Sequence, residues 1–199
     1  MYNTLGYQDF FDSAYYNIPT DKKSEDFVGL GLSDRSFFEQ IIPILKNINE
    51  SHDKYMGKII TLSNHSPFDD VTKYGNIDLG YLNDTEMGNY LKSAHYADKC
   101  LGYFFDMIKK NGLDKDTVFI LYGDHEAKLG KKNFNLLYNY NEVTNDYKSV
   151  DDPTYVNLDN YQYDMLKNTP LIILSSDGII SSEVKDVTGM WDVYPTVSN

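Results

Sequence analysis

Two short stretches carry residue types that could do chemistry. In "LYGDHEAKLG" (121–130), Asp124 and His125 follow directly on an apolar run from Val118 to Tyr122. A carboxylate and a neutral imidazole are both good donors to a divalent ion such as Zn or Mn. Gly123 lets the chain fold tightly at the strand tip, so two adjacent side chains can face one site. The same pair would equally suit a plain turn in which Asp124 caps a following helix and His125 meets solvent. In "TLSNHSPF" (61–68), His65 could bind an anionic or hydroxyl-rich molecule, or move a proton. Alternatively it is a turn histidine satisfied by backbone groups.

Other candidates are blander. Asp98 falls between Ala94 and Leu101 on an apparent apolar stripe, where a carboxylate needs a partner. A nearby loop backbone fits that need better than catalysis. His95 and Cys100 share the helix without a partner pattern and read as structural, and His52 reads as a solvated loop residue. The 18 tyrosines suit half-buried edges, with a sugar-binding surface as the alternative. There is no glycine-rich phosphate loop, no G-x-S-x-G turn and no Cys-Pro-x-Arg run.

The elements that must position these residues follow a strand–helix–strand rhythm. "SDRSFFEQIIPILKNINES" (33–51) predicts a helix: Ser33 caps, Asp34 suits the positive end, and Phe37, Phe38, Ile41, Ile42, Leu45 and Ile48 recur at helical spacing. Pro43 should disturb it locally. "KIIT" and the residues after it, up to Leu62, predict a short buried strand. Residues 84–112 predict the clearest helix, capped by Asp84, with Met87, Leu91, Ala94, Leu101, Phe105 and Ile108 in one stripe and a stop at Gly112. Strands are expected at 117–122 and 169–176, with a polar, Asn- and Tyr-rich excursion or lid-like insertion over 131–168. "WDVYPT" suggests a turn into a helix. Such a pattern belongs to an α/β domain with a mostly parallel sheet, in which ligands gather at the carboxyl ends of strands. If strands 58–62 and 117–122 are parallel neighbours, His65 converges on Asp124 and His125.

Bulk composition narrows the function. With 199 residues and 41% apolar content the chain is long enough for one real core and is not disordered. A net charge of −12 with Arg35 as the single arginine argues against nucleic acid and against anionic membrane surfaces. One cysteine permits no internal disulfide. No apolar run reaches the roughly 20 residues of a membrane span.

These stretches, in this order, resemble a family. "MYNTLGYQDFFDSAYYN", "VGLGLSDRSFFEQ", "TLSNHSPF", "LYGDH" and the tail "WDVYPT" are similar to successive blocks in the extracellular enzymatic domain of lipoteichoic acid synthases and related phosphoglycerol transferases. These belong to the sulfatase and alkaline-phosphatase-like superfamily. The likeness runs nearly end to end, and the combination is specific although each piece alone is weak.

The resemblance implies an alkaline-phosphatase-like α/β/α sandwich, with residues 1–199 forming one partial catalytic domain, its carboxyl-terminal portion. It implies a divalent ion of the Mn type, with Zn, Mg or Ca as alternatives, held in part by Asp124 and His125. It implies that His65 contacts the phosphate or glycerol of a bound headgroup. The reaction implied is phosphoryl transfer from a phosphatidylglycerol-like lipid to a growing polymer or glycan, through a threonine nucleophile. That threonine and a metal-binding glutamate are expected upstream, so no catalytic nucleophile is assigned in this chain and the isolated chain is expected to be inactive. The full-length protein is expected at the extracellular face of the cell membrane, anchored by upstream segments. Glu126 stands where family members often carry Tyr, which implies a different substrate or acceptor. The alternatives are a sulfatase, phosphatase or phosphoethanolamine transferase on the same scaffold, or a non-catalytic surface module that binds glycans.

Overall fold

The structure, a computed structural model, describes residues 6–176 and 182–198. The first five residues of the amino-terminal stretch quoted above lie outside the described residues.

Two helices build the main core. Helix α1, Asp34–Ser51, begins where Ser33 accepts a hydrogen bond from the Ser36 amide, as the sequence predicts. Its buried face is Phe38, Ile41, Ile42 and Leu45, the i, i+3, i+4, i+7 set. Pro43 sits inside the helix on its exposed side, where the missing amide costs a bond only at a solvated carbonyl. Helix α2, Glu86–Lys110, is capped by Thr85 rather than Asp84, and ends with Lys109 and Lys110 at the negative pole. It lays Cys100, Phe104 and Ile108 against α1, and the Phe38 and Phe104 rings stand 4.6 Å apart.

The stripe on α2 is rotated from expectation: Met87 and Ile108 are buried, but Leu91, Ala94, Leu101 and Phe105 are only half-buried. Asp98 is exposed, because Ser93, Cys100 and Phe104 take the buried positions between Met87 and Ile108 in place of Ala94, Leu101 and Phe105. Its carboxylate is solvated and needs no partner. Cys100 is buried, in keeping with a structural role, and His95 is exposed.

The strands come in three pairs. Strands β1 (Phe27–Val28) and β2 (Gly31–Leu32) form a tight hairpin ahead of α1. Strands β3 (Val118–Tyr122) and β6 (Leu171–Ser175) pair from Val118↔Ser175 to Tyr122↔Leu171. Strands β4 (Tyr140–Asn141) and β5 (Asp146–Tyr147) make a small hairpin. All three pairs among the described residues are antiparallel, where a mostly parallel sheet was expected. The reason lies in the connection. Tyr122 pairs with Leu171, so the chain leaves β3 and re-enters β6 at the same end of the sheet. A parallel neighbour needs a crossover to the opposite end.

Two other expectations change. Residues 58–62 form no strand among the described residues, and Ile60 and Leu62 are exposed. The excursion 131–168 has structure of its own. It holds α3 (Lys131–Asn139), the β4–β5 hairpin and α4 (Asn160–Met165), the last with a capping box between Asp159 and Gln162. Near the carboxyl end a short 3-10 turn, Met190–Asp192, leads into α5 (Val193–Ser198), as "WDVYPT" suggests.

Burial in the helical core pushes the Cys100 thiol up to about 11, and burial pushes the Tyr74 phenol up to about 12. The ordinary thiol value is 9.0. Above it, the unfolded chain releases a proton that the folded chain keeps, so stability is full below pH 9 and falls as pH rises toward 11. Cys100 alone accounts for up to about 3 kcal/mol of that loss. We expect a thiol reagent at pH 8 to leave Cys100 untouched until denaturant is added, and urea midpoints to drop steadily above pH 9. Rapid native-state modification would show that the thiol is not held in the core.

Candidate functional site

His65 and His125 come together. Their ring centroids lie 6.4 Å apart with the rings nearly perpendicular. The neighbouring-strand argument for this convergence does not hold, because residues 58–62 form no strand. What joins the two loops is a second hydrophobic cluster. Phe68, three residues past His65, and Leu129, four past His125, are both buried against Met87 at the start of α2. Tyr90, Leu91, Ala127 and Phe134 complete this cluster. The Tyr163 hydroxyl donates to the Leu129 carbonyl at 2.7 Å, so α4 fastens the loop from the far side.

Gly123 makes the tip of β3 possible. A Cβ there would stand 3.0 and 3.1 Å from the Thr169 side chain, and the Gly123 amide donates to the Pro170 carbonyl. The sheet thus closes tightly at the point where Asp124 and His125 emerge.

Both imidazoles are oriented by the backbone. His65 Nδ1 lies 2.7 Å from the Ser66 carbonyl oxygen, and His125 Nδ1 lies 2.6 Å from the Glu126 carbonyl oxygen. A carbonyl oxygen only accepts, so each Nδ1 is the N–H. In the neutral ring this leaves Nε2 with its lone pair. That is the arrangement by which proteins present an imidazole nitrogen to a metal or a substrate proton.

The donor set fits part of a metal shell. Asp124 Oδ1 and His125 Nε2 are 3.8 Å apart. Two donors on one ion at bond lengths near 2.1 Å stand about 3–3.6 Å from each other, so a small side-chain adjustment suffices. Their side chains are 80% and 41% exposed, open to an incoming ion. Among the described residues no group of three or more His, Cys, Asp or Glu is placed to hold an ion. The pair therefore suits a shared shell rather than a closed cage.

The loop carrying His65 is pinned by residues the sequence reading assigned elsewhere. Asp34, read only as a favourable charge at a helix end, accepts from the Leu62 and Ser63 amides. Ser93 donates to Asn64. A serine on the buried stripe of an apolar helix was the available signal for the second, since a buried hydroxyl needs a partner. Next to the turn, a cavity of about 340 Å³ is bounded by Phe11, Tyr16, Phe27, Leu30 and Leu62. Arg35 faces away from this chemistry, paired to Glu39 at 2.8 Å and lying 3.2 Å over the Tyr103 ring.

Comparison with known proteins identifies the family. The Sulfatase family matches residues 1–199. Lipoteichoic acid synthase 2 of Bacillus subtilis (strain 168) is 32% identical over 197 residues, 99% of this chain and 27% of the relative. Lipoteichoic acid synthase of Staphylococcus aureus (strain USA300) is 30% identical over 125 residues, 63% of this chain and 18% of the relative. The crystal structure of the lipoteichoic acid synthase LtaP from Listeria monocytogenes superposes with a TM-score of 0.56 at 31% identity, covering 74% of this chain and 37% of that one. The chain therefore spans about a quarter of the length of the Bacillus relative. Its fold is the alkaline-phosphatase-like α/β fold of these enzymes. Matched along its whole length and sharing that fold with a solved synthase, the chain belongs to the Sulfatase family, with lipoteichoic acid synthases among its relatives.

Proposed function

We propose that this chain is part of the catalytic domain of a metal-dependent phosphoglycerol transferase, acting on phosphatidylglycerol-like lipid headgroups at the extracellular face of the cell membrane. The observation that carries the reading is the meeting of His65 with Asp124 and His125 at the tip of β3. The kinship with lipoteichoic acid synthases supports the substrate class.

Charge supports the need for a cation. The chain carries −12, and its one arginine is committed to Glu39 and Tyr103. A phosphate headgroup would be repelled unless a positive ion stood between it and the protein. Asp124 and His125 would hold that ion, which we take to be Mn, and when bound it would stabilise negative charge on the transferring phosphoryl group. His65 Nε2, freed by the Nδ1 bond to Ser66, would take a hydrogen bond from a glycerol hydroxyl and so orient the headgroup. The Phe68–Met87–Leu129 cluster holds the two loops at a fixed separation. The nucleophile and the remaining metal ligands would come from the longer protein.

This reading predicts weak, one-to-one uptake of Mn(II) by the 199-residue chain, because two ligands rarely hold an ion tightly at an open site. Electron paramagnetic resonance of free Mn(II) should show the uptake, and Asp124→Ala or His125→Ala should abolish it. The chain alone should not turn over bis(p-nitrophenyl) phosphate. Uptake that survives both substitutions would defeat the metal assignment. Mn-dependent turnover lost in Asp124→Ala would place the nucleophile inside these residues.

A further inference from the structure

We propose that Asp34 and Ser93 are positioning residues for His65: they fix the turn that aims its imidazole at His125. The inference rests on the reading that His65 acts at this site.

Phe68 anchors the chain beyond the turn, but packing does little for residues 62–65 themselves apart from the buried Ser63. The segment before the turn has no strand partner among the described residues, and Leu62 and Asn64 are exposed, so packing does not fix them. The His65 amide closes the turn on the Leu62 carbonyl at 3.1 Å. Asp34 then grips it from below. Its Oδ1 accepts from the Leu62 amide at 3.0 Å and the Ser63 amide at 2.9 Å. In return the Asp34 amide donates to Ser63 Oγ at 2.8 Å. This reciprocal clamp is buried, with Asp34 2% and Ser63 0% exposed. On the other side, Ser93 of α2, itself fully buried, donates to Asn64 Oδ1 at 2.6 Å.

The chemistry points past ordinary helix capping. An acid in the first turn of a helix gains from the positive pole while pointing into water. Asp34 is instead buried, and its oxygen is occupied by amides 28 and 29 residues away in sequence. Capping of α1 itself is done by Ser33. The carboxylate therefore serves the His65 turn. In effect α1 fixes one side of the turn and α2 the other, and α2 also carries Met87 beneath the Asp124–His125 loop.

The test uses the metal-free 199-residue chain and long-range proton–nitrogen NMR of the histidine rings. In the wild type, His65 and His125 should both show the Nδ1–H form. In Asp34→Ala, His65 should lose that signature and the Leu62 and Ser63 amides should lose exchange protection, while His125 is unchanged. Asp34→Asn should restore both, since its amide oxygen can accept the same two hydrogens. Ser93→Ala should shift His65 in the same direction by less. A folded Asp34→Ala that keeps the wild-type His65 signature overturns the proposal. If Asp34→Ala does not fold, an unchanged His65 signature in Ser93→Ala overturns it. A separate arm adds Mn(II) and follows paramagnetic broadening. Failure to broaden His125 in the wild type removes the metal reading, while the tautomer signals still decide the positioning role.

Discussion

Asp124→Ala or His125→Ala lowers phosphodiester turnover by about a hundredfold to a thousandfold when this chain replaces its counterpart in a complete relative. The suitable host is Lipoteichoic acid synthase 2 of Bacillus subtilis (strain 168), which aligns with 99% of this chain. The size of the effect follows from where charge appears. Phosphoryl transfer gathers negative charge on oxygens in the transition state, and each factor of ten corresponds to about 1.4 kcal/mol of stabilisation at that point. Within the shell that the host would complete, loss of either donor would weaken the hold on the ion and misplace it against the transferring phosphoryl group. The loss should therefore appear in kcat, with little recovery in excess Mn(II) for Asp124→Ala. His65→Ala should behave differently: on the proposed reading it would touch the headgroup and not the ion, so Mn(II) content should persist while both KM and kcat suffer. Turnover within about threefold of the parent chimera for both metal-site variants, with metal content unchanged, would contradict the assignment.

Much of the framework was legible before any coordinates, and the failures have physical causes. Helix α1 was visible because Phe38, Ile41, Ile42 and Leu45 repeat at the helical period and all point into one core. The strands at 118–122 and 171–175 were visible as apolar runs between turn signals. The run at 58–62 looks the same in sequence but is not a strand. At its end Asp34 takes the Leu62 amide, and the Ser63 amide just beyond, in place of a ladder partner. Local pattern carries no information about a partner nearly thirty residues away. Strand direction was likewise out of reach, since it depends on where the excursion returns.

The excursion itself hides its order in side-chain amides. Asn139 both donates to the Val156 carbonyl and accepts from the Val156 amide, and Asn135 accepts from the Leu158 amide. The buried Asn139 and the half-buried Asn135 replace backbone pairing there, and hydrophobic periodicity cannot read that. The site shows the same division. His65, Asp124 and His125 were named from residue type and family likeness, whereas their meeting depends on Phe68, Met87 and Leu129, three residues with no chemical signature.

Phe38→Ala destabilises the chain by about 3–5 kcal/mol, the usual cost of emptying an aromatic position in a packed core. Phe38 is 1% exposed and lies in the cluster that joins α1 to α2, with its ring 4.6 Å from Phe104. Its neighbours are the branched Ile41, Ile42 and Leu45 and the ring of Phe104, all anchored on two long helices that cannot close over the gap without shifting. Native domains hold only about 5–15 kcal/mol in total, so this one change removes a large share. With a slope of about 2 kcal/mol per molar urea, the midpoint should fall by about 1.5–2.5 M. The functional consequence follows from position: α1 carries Asp34 one turn before Phe38, so a loosened helix pair also frees the His65 turn. Amide exchange at Leu62 and Ser63 in Phe38→Ala should therefore rise together with global unfolding, whereas in Asp34→Ala it rises alone. A midpoint shift under about 0.3 M would mean that the core repacks around the void and that the two helices are not the rigid frame on which the site hangs.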